Sequence, residues 1–557
     1  MRLALLLFMY ASLVAGLHAQ QPADTGMRVI RLQAVQISDG SDSANAAFTF
    51  YQAGKLSGTE ELLSRMEGVN LIRRGAFGME PVLRGYSAGQ MNTTIDGMRI
   101  YGACTDRMDP VSIYVEPVNL QSIQAAHGVG AGTMGSTVGG QINFQMKEPD
   151  TSCHRRISGQ MAQSWASNNN AFSTSAWVQS SGKAFSVRSG GIYRKAGNYH
   201  ASSGMEIPWS GYEKINFSTV MVYQMKKAQR LRLDFLYDLG RNIGFPALPM
   251  DVGKADALIG SISHKVNLKN TFIQAINSRI YMNRVLHQMD DTHRKDVLMH
   301  MDMPGLSETF GFYTELQARQ KVQIRIDGHR VYSLAEMIMY PKDEPQMYVQ
   351  TLPANRIYNA GTSFSKDFHL SARNKLRFSA RLDYYQIKGF DGSGAAQWEI
   401  FGNNIRDPKQ YWLKTGSVAW EKTFNANWLG RLSAGYGERI PTASELFGYY
   451  LYNRQDQFDY IGNYDIQPES SWQIEYLGRR SFKNGFIQLN LFAHKVQHYI
   501  YAMPVQNAGP ATPGALGLKT YINIPYAHNL GFELTGKFTI WEGLESMTSI
   551  KYLYTET

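Results

Sequence analysis

Two short segments carry sulfur and imidazole side chains at spacings that suit a metal ion. Cys104 and Met108 are four residues apart, so a helical turn or a compact loop could present both sulfur atoms to one ion. His287 and Met289 are two residues apart, so in a β-strand they share one face. Thiolate, thioether and imidazole groups are ligands of soft metal ions. The sequence therefore offers two candidate half-sites that lie far apart in the chain.

A run of alternating methionines follows the second half-site. Met299, Met301 and Met303 alternate with His300 and Asp302, so in a strand the three thioethers share a face and could relay a soft cation. The plainer alternative is that they are apolar residues of a lipid-facing or cavity wall, which is an ordinary use of methionine. We give this alternative more weight than direct ligation and keep the relay as a hypothesis.

The elements that would position these residues are β-strands. Residues 231–238 (LRLDFLYD), 375–384 (KLRFSARLDY) and 487–494 (IQLNLFAH) alternate apolar and polar side chains, and the pattern recurs from 151 to the end. Soluble β-sandwiches over this length need several domains with linkers, and no Pro, Gly or Ser-rich linker interrupts the series. In a membrane barrel, lipid covers the apolar face and the lumen holds the polar one. The pattern predicts a transmembrane β-barrel.

The N-terminus has the layout of a secretory signal peptide. Arg2 precedes an apolar run at 3–14 and a small-residue segment that ends at Ala19, so residues 1–19 form the predicted leader. The apolar run is shorter than the roughly 20 residues that a spanning helix needs. The net charge of +10 comes without a basic run that could track phosphates, which argues against nucleic acid and favours an anionic lipid surface.

Several segments resemble one known family, the TonB-dependent outer-membrane receptors. The resemblance to the plug domain lies in 59–69 (TEELLSRMEGV), 82–86 (VLRGY), 95–98 (IDGM), 123–128 (IQAAHG) and 135–143 (GSTVGGQIN). The resemblance to the barrel lies in 439–446 (RIPTASEL), 462–463 (GN) and 467–469 (QPE). Together these segments span nearly the whole chain in the family's order.

The resemblance implies an all-β antiparallel transmembrane barrel, nominally of 22 strands, with an N-terminal α+β plug domain inside the lumen. It also implies an active transporter in the outer membrane of a Gram-negative bacterium. Its partners would be a TonB-type periplasmic energy-coupling protein, outer-membrane lipid and lipopolysaccharide, and a metal ion or metal chelate, with no nucleic acid. No acid–base pair, nucleophile elbow or phosphate loop stands out in the sequence, so we do not predict an enzyme.

Residues 30–37 (IRLQAVQI) occupy the position of the family's TonB box. An extended segment of this kind could add as a strand to the periplasmic partner, with contacts from Arg31, Leu32, Gln33, Ala34 and Val35. The alternative is that the segment is the first strand of the plug. The sequence favours neither.

Within the family, residues 100–110 (IYGACTDRMDP) resemble the plug of the copper receptors (OprC/NosA type), where a Cys-x-x-x-Met element is a metal site. That subfamily adds a His-x-Met element from the barrel, and 286–291 (LHQMDD) is similar to it. The resemblance implies that Cys104, Met108, His287 and Met289 converge on one ion between the plug and the barrel wall. One thiolate, two thioethers and one imidazole favour Cu(I) over zinc, calcium or magnesium. Copper would then be cargo, and no prosthetic group is expected.

Alternatives remain open at this point. The cargo could instead be a siderophore, haem, cobalamin or another chelated metal, and a passive binding module or adhesin is a third hypothesis, against which the plug-like domain argues. Cys104 could also form a disulfide with Cys153, the second of two cysteines, and the closure of this long loop would stabilise the fold. We favour the role of ligand because the subfamily motif surrounds Cys104.

The expected domains are a signal peptide at 1–19, an extension with the TonB box candidate at 20–45, a plug at 46–150 and a barrel at 151–557. The chain ends in Tyr-Leu-Tyr-Thr-Glu-Thr, without the family's terminal aromatic residue. The 407 residues from 151 to 557 would give 22 strands only about 18 residues each with their connections, where a spanning strand alone takes about 9–11. We therefore expect a barrel that is incomplete at the C-terminus.

Overall fold

The computed structural model describes residues 35–39, 48–50 and 58–557, except 88, 151–156, 295, 296, 298, 391, 403, 507 and 543. The predicted signal peptide at 1–19, the residues 31–34 of the TonB box candidate, and Cys153 lie outside the described residues. No helix within the described part of the chain is long and apolar enough to cross a membrane.

The N-terminal part of the described chain is a small α+β unit. Its elements are β1 (Val35–Asp39), β2 (Phe48–Phe50), α1 (Thr59–Ser64), β3 (Val69–Ile72), β4 (Glu80–Leu83), β5 (Met91–Ile95), β6 (Met98–Arg99), β7 (Leu120–His127) and β8 (Gly140–Met146), with 3₁₀ turns at Val111–Tyr114, Pro117–Asn119 and Val129–Met134. Six strands form one sheet in the order β2-β1-β7-β8-β5-β6, and β3 pairs with β4. Leu62, Leu63, Ile123, Ile142 and Phe144 are almost fully buried in its core.

Helix α1 covers Thr59–Ser64 and ends before Gly68, where the chain turns with a φ of 71° in the left-handed region that glycine adopts without strain. Arg65 and Met66 close the last turn through 3₁₀-type hydrogen bonds to Leu62 and Leu63.

The rest of the chain forms a sheet of 19 strands among the described residues. They are β9 (Ile157–Ala166), β10 (Ala171–Ser181), β11 (Phe185–Ala196), β12 (Tyr212–Lys226), β13 (Gln229–Ile243), β14 (Asp251–Asn267), β15 (Ile273–Asp290), β16 (His300–Ala318), β17 (Val322–Tyr340), β18 (Met347–Ser371), β19 (Asn374–Gly389), β20 (Lys409–Asn425), β21 (Trp428–Arg439), β22 (Leu451–Asn453), β23 (Phe458–Ile461), β24 (Glu469–Phe482), β25 (Gly485–Pro504), β26 (Gly517–Trp541) and β27 (Leu544–Glu556). Two short helices, α2 (Ser393–Glu399) and α3 (Ala443–Phe447), and a 3₁₀ turn at Arg319–Lys321 lie in the connections.

Neighbouring strands pair antiparallel from β9 to β21, β21 pairs with β24, and the series continues to β27. Strands β22 and β23 form a hairpin within the β21–β24 connection, and β23 runs parallel to β26. The predicted fold class, an antiparallel barrel with an α+β plug, is confirmed.

Connections at the two ends of the barrel differ in length. Short turns such as 227–228, 372–373 and 483–484 alternate with long connections such as 197–211, 390–408 and 440–468. Barrels of the outer membrane place short turns in the periplasm and long loops outside the cell. The end of β15 at Asp290 and the start of β16 at His300 therefore lie at the extracellular end.

Polar residues on the inner face of the barrel hold the plug through buried ion pairs. Arg232 on β13 lies 2.6 Å from Asp96, and Lys214 on β12 lies 3.0 Å from Glu116. Arg84 of the plug pairs with Glu533 at 2.8 Å. Outward residues of the same strands are apolar and exposed, which explains the alternation in the sequence.

We expect Arg84→Ala to loosen the plug. Arg84 lies 2.8 Å from Glu533 and 3.0 Å from Glu475, and its removal would leave two carboxylates without this cation. Breaking a buried ion pair costs about 3–5 kcal/mol. Protease cleavage of the plug in purified protein measures the effect. Arg65→Ala, which removes an exposed pair with Glu61, is the control; equal protection of both variants would contradict the prediction.

Candidate metal site

The plug half of the predicted site is a compact loop between β6 and the 3₁₀ turn at Val111–Tyr114. The carboxylate of Asp109 accepts hydrogen bonds from the backbone N–H of Ala103 at 2.7 Å and of Cys104 at 3.2 Å. Arg107 has a φ of 56° and donates its backbone N–H to the Cys104 carbonyl at 3.2 Å. Of the two predicted arrangements, helical turn or compact loop, the second is observed.

The barrel half lies near the extracellular end of β15. His287 and Met289 both point into the barrel and are 1% and 3% exposed, as the strand periodicity predicts. In the ladder with β16, His287 is opposite Gly305 and Met289 is opposite Met303.

The two halves meet between the plug and the wall. The Sγ atom of Cys104 lies 3.5 Å from the Sδ atom of Met289, and the thiol donates a weak hydrogen bond to the thioether. Met108 is 1% exposed and belongs to the same buried cluster as Met289, against which Cys104 packs. The Nδ1 atom of His287 lies 3.9 Å from Oδ2 of Asp109. The structure thus brings Cys104 to Met289 and Asp109 towards His287, and Met108 lies in the same hydrophobic core.

The imidazole of His287 is a buried polar group without a hydrogen bond in the described part of the chain. Neither of its ring nitrogens has a hydrogen-bond partner among the described residues. Buried polar atoms are normally satisfied, so an orphaned one calls for a ligand, an ion or a water molecule. The described residues contain no group of three or more His, Cys, Asp or Glu side chains that could hold a metal ion. The donors at this place are instead mainly sulfur atoms.

Cys104 is a free cysteine, and Cys153, its alternative disulfide partner, lies outside the described residues. Burial raises the pKa of the Cys104 thiol well above its ordinary value, and the carboxylates of Asp109 and Asp106 raise this pKa further. The thiol is therefore protonated at neutral pH when no cation is bound.

The methionine run lies beside this region. Strand β16 begins at His300, so Met299 precedes the strand that the sequence pattern assigns to it. Met301 and Met303 are partly buried and pack against the cluster that contains Met108 and Met289. Their role in a relay stays a prediction.

Sequence reasoning missed two residues that shape the site. Asp109 organises the plug loop, and only its position one residue after Met108 could have drawn attention to it. Gly305 lies where the loop approaches the wall: a Cβ atom at 305 would overlap the carbonyl oxygen of Ala103. A lone glycine in a strand signals such a close approach.

We expect Gly305→Val to displace the plug loop, because the new side chain would occupy the space of the Ala103 carbonyl. Cys104 would then move away from Met289, and ligand affinity at this place would fall by about 10-fold or more, since a misplacement of about 1 Å has effects of this order or larger. Competition binding with a Cu(I) chelator measures the change. Gly260→Val on β14 is the control, because a Cβ there has only an ordinary contact at 3.9 Å. Unchanged affinity of Gly305→Val would refute the argument.

Of the five residues predicted to contact the periplasmic partner, the structure describes Val35. Val35 begins β1, which pairs with β2 and runs parallel to β7. This end of the segment belongs to the plug sheet, whereas Arg31, Leu32, Gln33 and Ala34 lie outside the described residues. Contact with the periplasmic partner stays a prediction.

An antiparallel barrel with an apolar outer face, holding a folded domain through buried ion pairs, defines the class of plugged barrels that transport through the outer membrane. Residues 163–557 match the model of the TonB dependent receptor-like β-barrel, and residues 51–140 match that of the TonB-dependent receptor plug domain. The chain belongs to the TonB-dependent receptor family. It is accordingly a protein of the Gram-negative outer membrane, in a family of transporters and receptors rather than enzymes.

Solved structures share this fold. The copper transporter OprC is 18% identical with a TM-score of 0.76, over 90% of this chain and 76% of that one. The siderophore receptor PirA from Pseudomonas aeruginosa is 15% identical with a TM-score of 0.61, over 89% and 81%. The Serratia marcescens hemophore receptor HasR, in complex with HasA and heme, is 14% identical with a TM-score of 0.68, over 89% and 78%. The search among curated proteins gives no match.

Proposed function

We propose that this receptor imports copper, with Cu(I) as the favoured form, and that Cys104, Met108, His287 and Met289 bind the ion. The observation that carries the proposal is the 3.5 Å approach of Cys104 Sγ to Met289 Sδ across the boundary between plug and barrel. Cys104 and Met289 are 185 positions apart in the sequence, yet their sulfur atoms are in contact. The imidazole of His287 lies beside them, and its nitrogens have no hydrogen-bond partner among the described residues.

The cargo is inferred from the donor set and not from the fold. Proteins of copper, siderophore and haem uptake share this architecture, so the fold alone does not select among them. Thiolate and thioether sulfur prefer Cu(I), whereas zinc sites rarely use methionine and calcium or magnesium sites need oxygen. A siderophore, haem or cobalamin would be recognised by groups that fit a large organic ligand, and a buried pair of sulfur atoms suits a bare ion better.

The plug residues would supply two ligands and the wall the other two. TonB would bind the residues of the segment 30–37 that precede β1 and would pull on the plug from the periplasm. Release of the ion towards the periplasm then requires that the plug loop and the wall separate.

Metal analysis of the purified protein tests the proposal. Samples are exposed separately to Cu, Zn and Fe under reducing conditions and then desalted. We expect near-stoichiometric copper and little zinc or iron. Retention of zinc or of an iron chelate, with copper absent, would overturn the assignment of the cargo.

Copper binding should depend on pH. The raised pKa of Cys104 keeps the thiol protonated, and the ion must displace this proton. Each unit of rising pH below the thiol pKa multiplies the thiolate fraction tenfold, so the apparent affinity should increase by about 10-fold per unit. Competition titrations between pH 6 and about 8 measure this slope. The Cys104→Ser variant is the control and should lose most of the slope; a flat profile of the unmodified protein would contradict the prediction.

A further inference from the structure

We infer that Asp109 is a positioning residue that joins the two halves of the site: it fixes the Cys104 loop and orients the His287 ring so that Nε2 is presented to the ion. The inference rests on the proposed copper site. It concerns a carboxylate that would not touch the ion.

Asp109 is held in place from several sides. It is 2% exposed and accepts hydrogen bonds from the backbone N–H of Ala103 and Cys104 and from the hydroxyl of Tyr114, the last at 3.1 Å. A Cβ atom at Gly102 would lie 2.6 Å from Oδ1 of Asp109, so the absence of a side chain there makes room for the carboxylate. The loop is built around this one side chain.

The same carboxylate faces the barrel. Its Oδ2 atom lies 3.9 Å from Nδ1 of His287, about 1 Å longer than a hydrogen bond. A histidine that binds a metal ion commonly donates its other ring N–H to a carboxylate, which fixes the tautomer and the direction of the ring. Since both nitrogens of His287 lack a described partner, this geometry assigns Nδ1–H to Asp109 and Nε2 to the ion.

One carboxylate therefore acts on a plug ligand and on a barrel ligand. The Asp109→Asn substitution separates the effect of Asp109 on His287 from its effect on the loop. The amide oxygen of the new side chain still accepts hydrogen bonds from the backbone N–H groups of Ala103 and Cys104. What this variant loses is the negative charge that attracts Nδ1–H.

A double-mutant cycle tests the inference, with Cu(I) affinity measured by competition against a chromophoric chelator. Asp109→Asn should lower affinity by about 10–100-fold in the otherwise unmodified protein. In a His287→Ala background the same change should cost less than about threefold, because the coupled partner is gone. Equal losses in both backgrounds would overturn the inference, since Asp109 would then act on the loop alone.

Two further variants complete the design. Asp106→Asn removes a carboxylate of the same loop, and we expect no loss of affinity. Tyr114→Phe removes a hydrogen bond to Asp109 but keeps the charge of the carboxylate. If this variant lowers Cu(I) affinity in the protein with His287 but not in the His287→Ala background, the inference is supported. This test remains available even if Asp109→Asn does not fold. If neither variant shows coupling, the inference fails. If the unmodified protein binds no copper, the proposed function fails.

Discussion

Replacing Cys104 with Ser is expected to lower copper affinity by more than about 100-fold. This loss is larger than the one usually caused by removing a residue that only hydrogen-bonds to a metal ligand. A loss of this size corresponds to about 3 kcal/mol. The thiolate is the strongest soft donor of the candidate set and the one with a negative charge, and serine keeps a similar shape but lacks the polarisable sulfur. Competition with a chromophoric Cu(I) chelator measures the change.

The methionines of β16 provide the matched comparison. Met301→Leu and Met303→Leu each remove a thioether while they keep an apolar side chain against the same cluster. The proposal expects a much smaller loss from either than from Cys104→Ser. Equal copper binding by Cys104→Ser and the unmodified protein would refute the site.

Disruption of the TonB box candidate is expected to abolish uptake while it leaves copper binding unchanged. A strand that adds to a partner needs its backbone N–H groups, so Leu32→Pro should block the contact without the loss of any residue. This substitution is sharper than the deletion of 30–37, because Val35 and its successors already belong to β1 of the plug sheet. Accumulation of radioactive copper in cells measures uptake, and equilibrium binding to purified protein measures affinity.

Leu32→Ala is the control for this experiment, since it removes the side chain but keeps the backbone donor. It should retain part of the uptake. Full uptake by Leu32→Pro would remove these residues from the account of energy coupling, and a loss of binding would instead indicate damage to the plug.

The fold was predictable because lipid imposes a simple rule on the sequence. The segment 231–238 alternates apolar and polar residues, and in the structure Leu233 and Phe235 face outward whereas Arg232 is buried against the plug. The length of the strands was not predictable in this way. Strands β18 and β26 have 25 residues each, far more than the roughly 9–11 that span the membrane, because they continue beyond it. Alternation does not indicate where the membrane ends.

The candidate ligand residues were predictable from the sequence, but the residues that hold them in place were not. Cys104 is conspicuous because the chain has only two cysteines, and the strand period places His287 with Met289 on one face. Asp109 and Gly305 act through a backbone hydrogen bond and through the absence of a side chain. The role of Asp109 depends on how its own loop folds, and a lone glycine in a strand indicates a close approach without indicating which element approaches.

The contact between Cys104 and Met289 joins two bodies, a plug loop and a barrel strand, and this has a mechanical consequence. A rigid displacement of the plug cannot keep the plug sulfur and the wall sulfur at their distance of 3.5 Å. A pull on the plug along the barrel axis would therefore directly increase the distance between the plug ligands and the wall ligands. Force and affinity are then coupled at this contact.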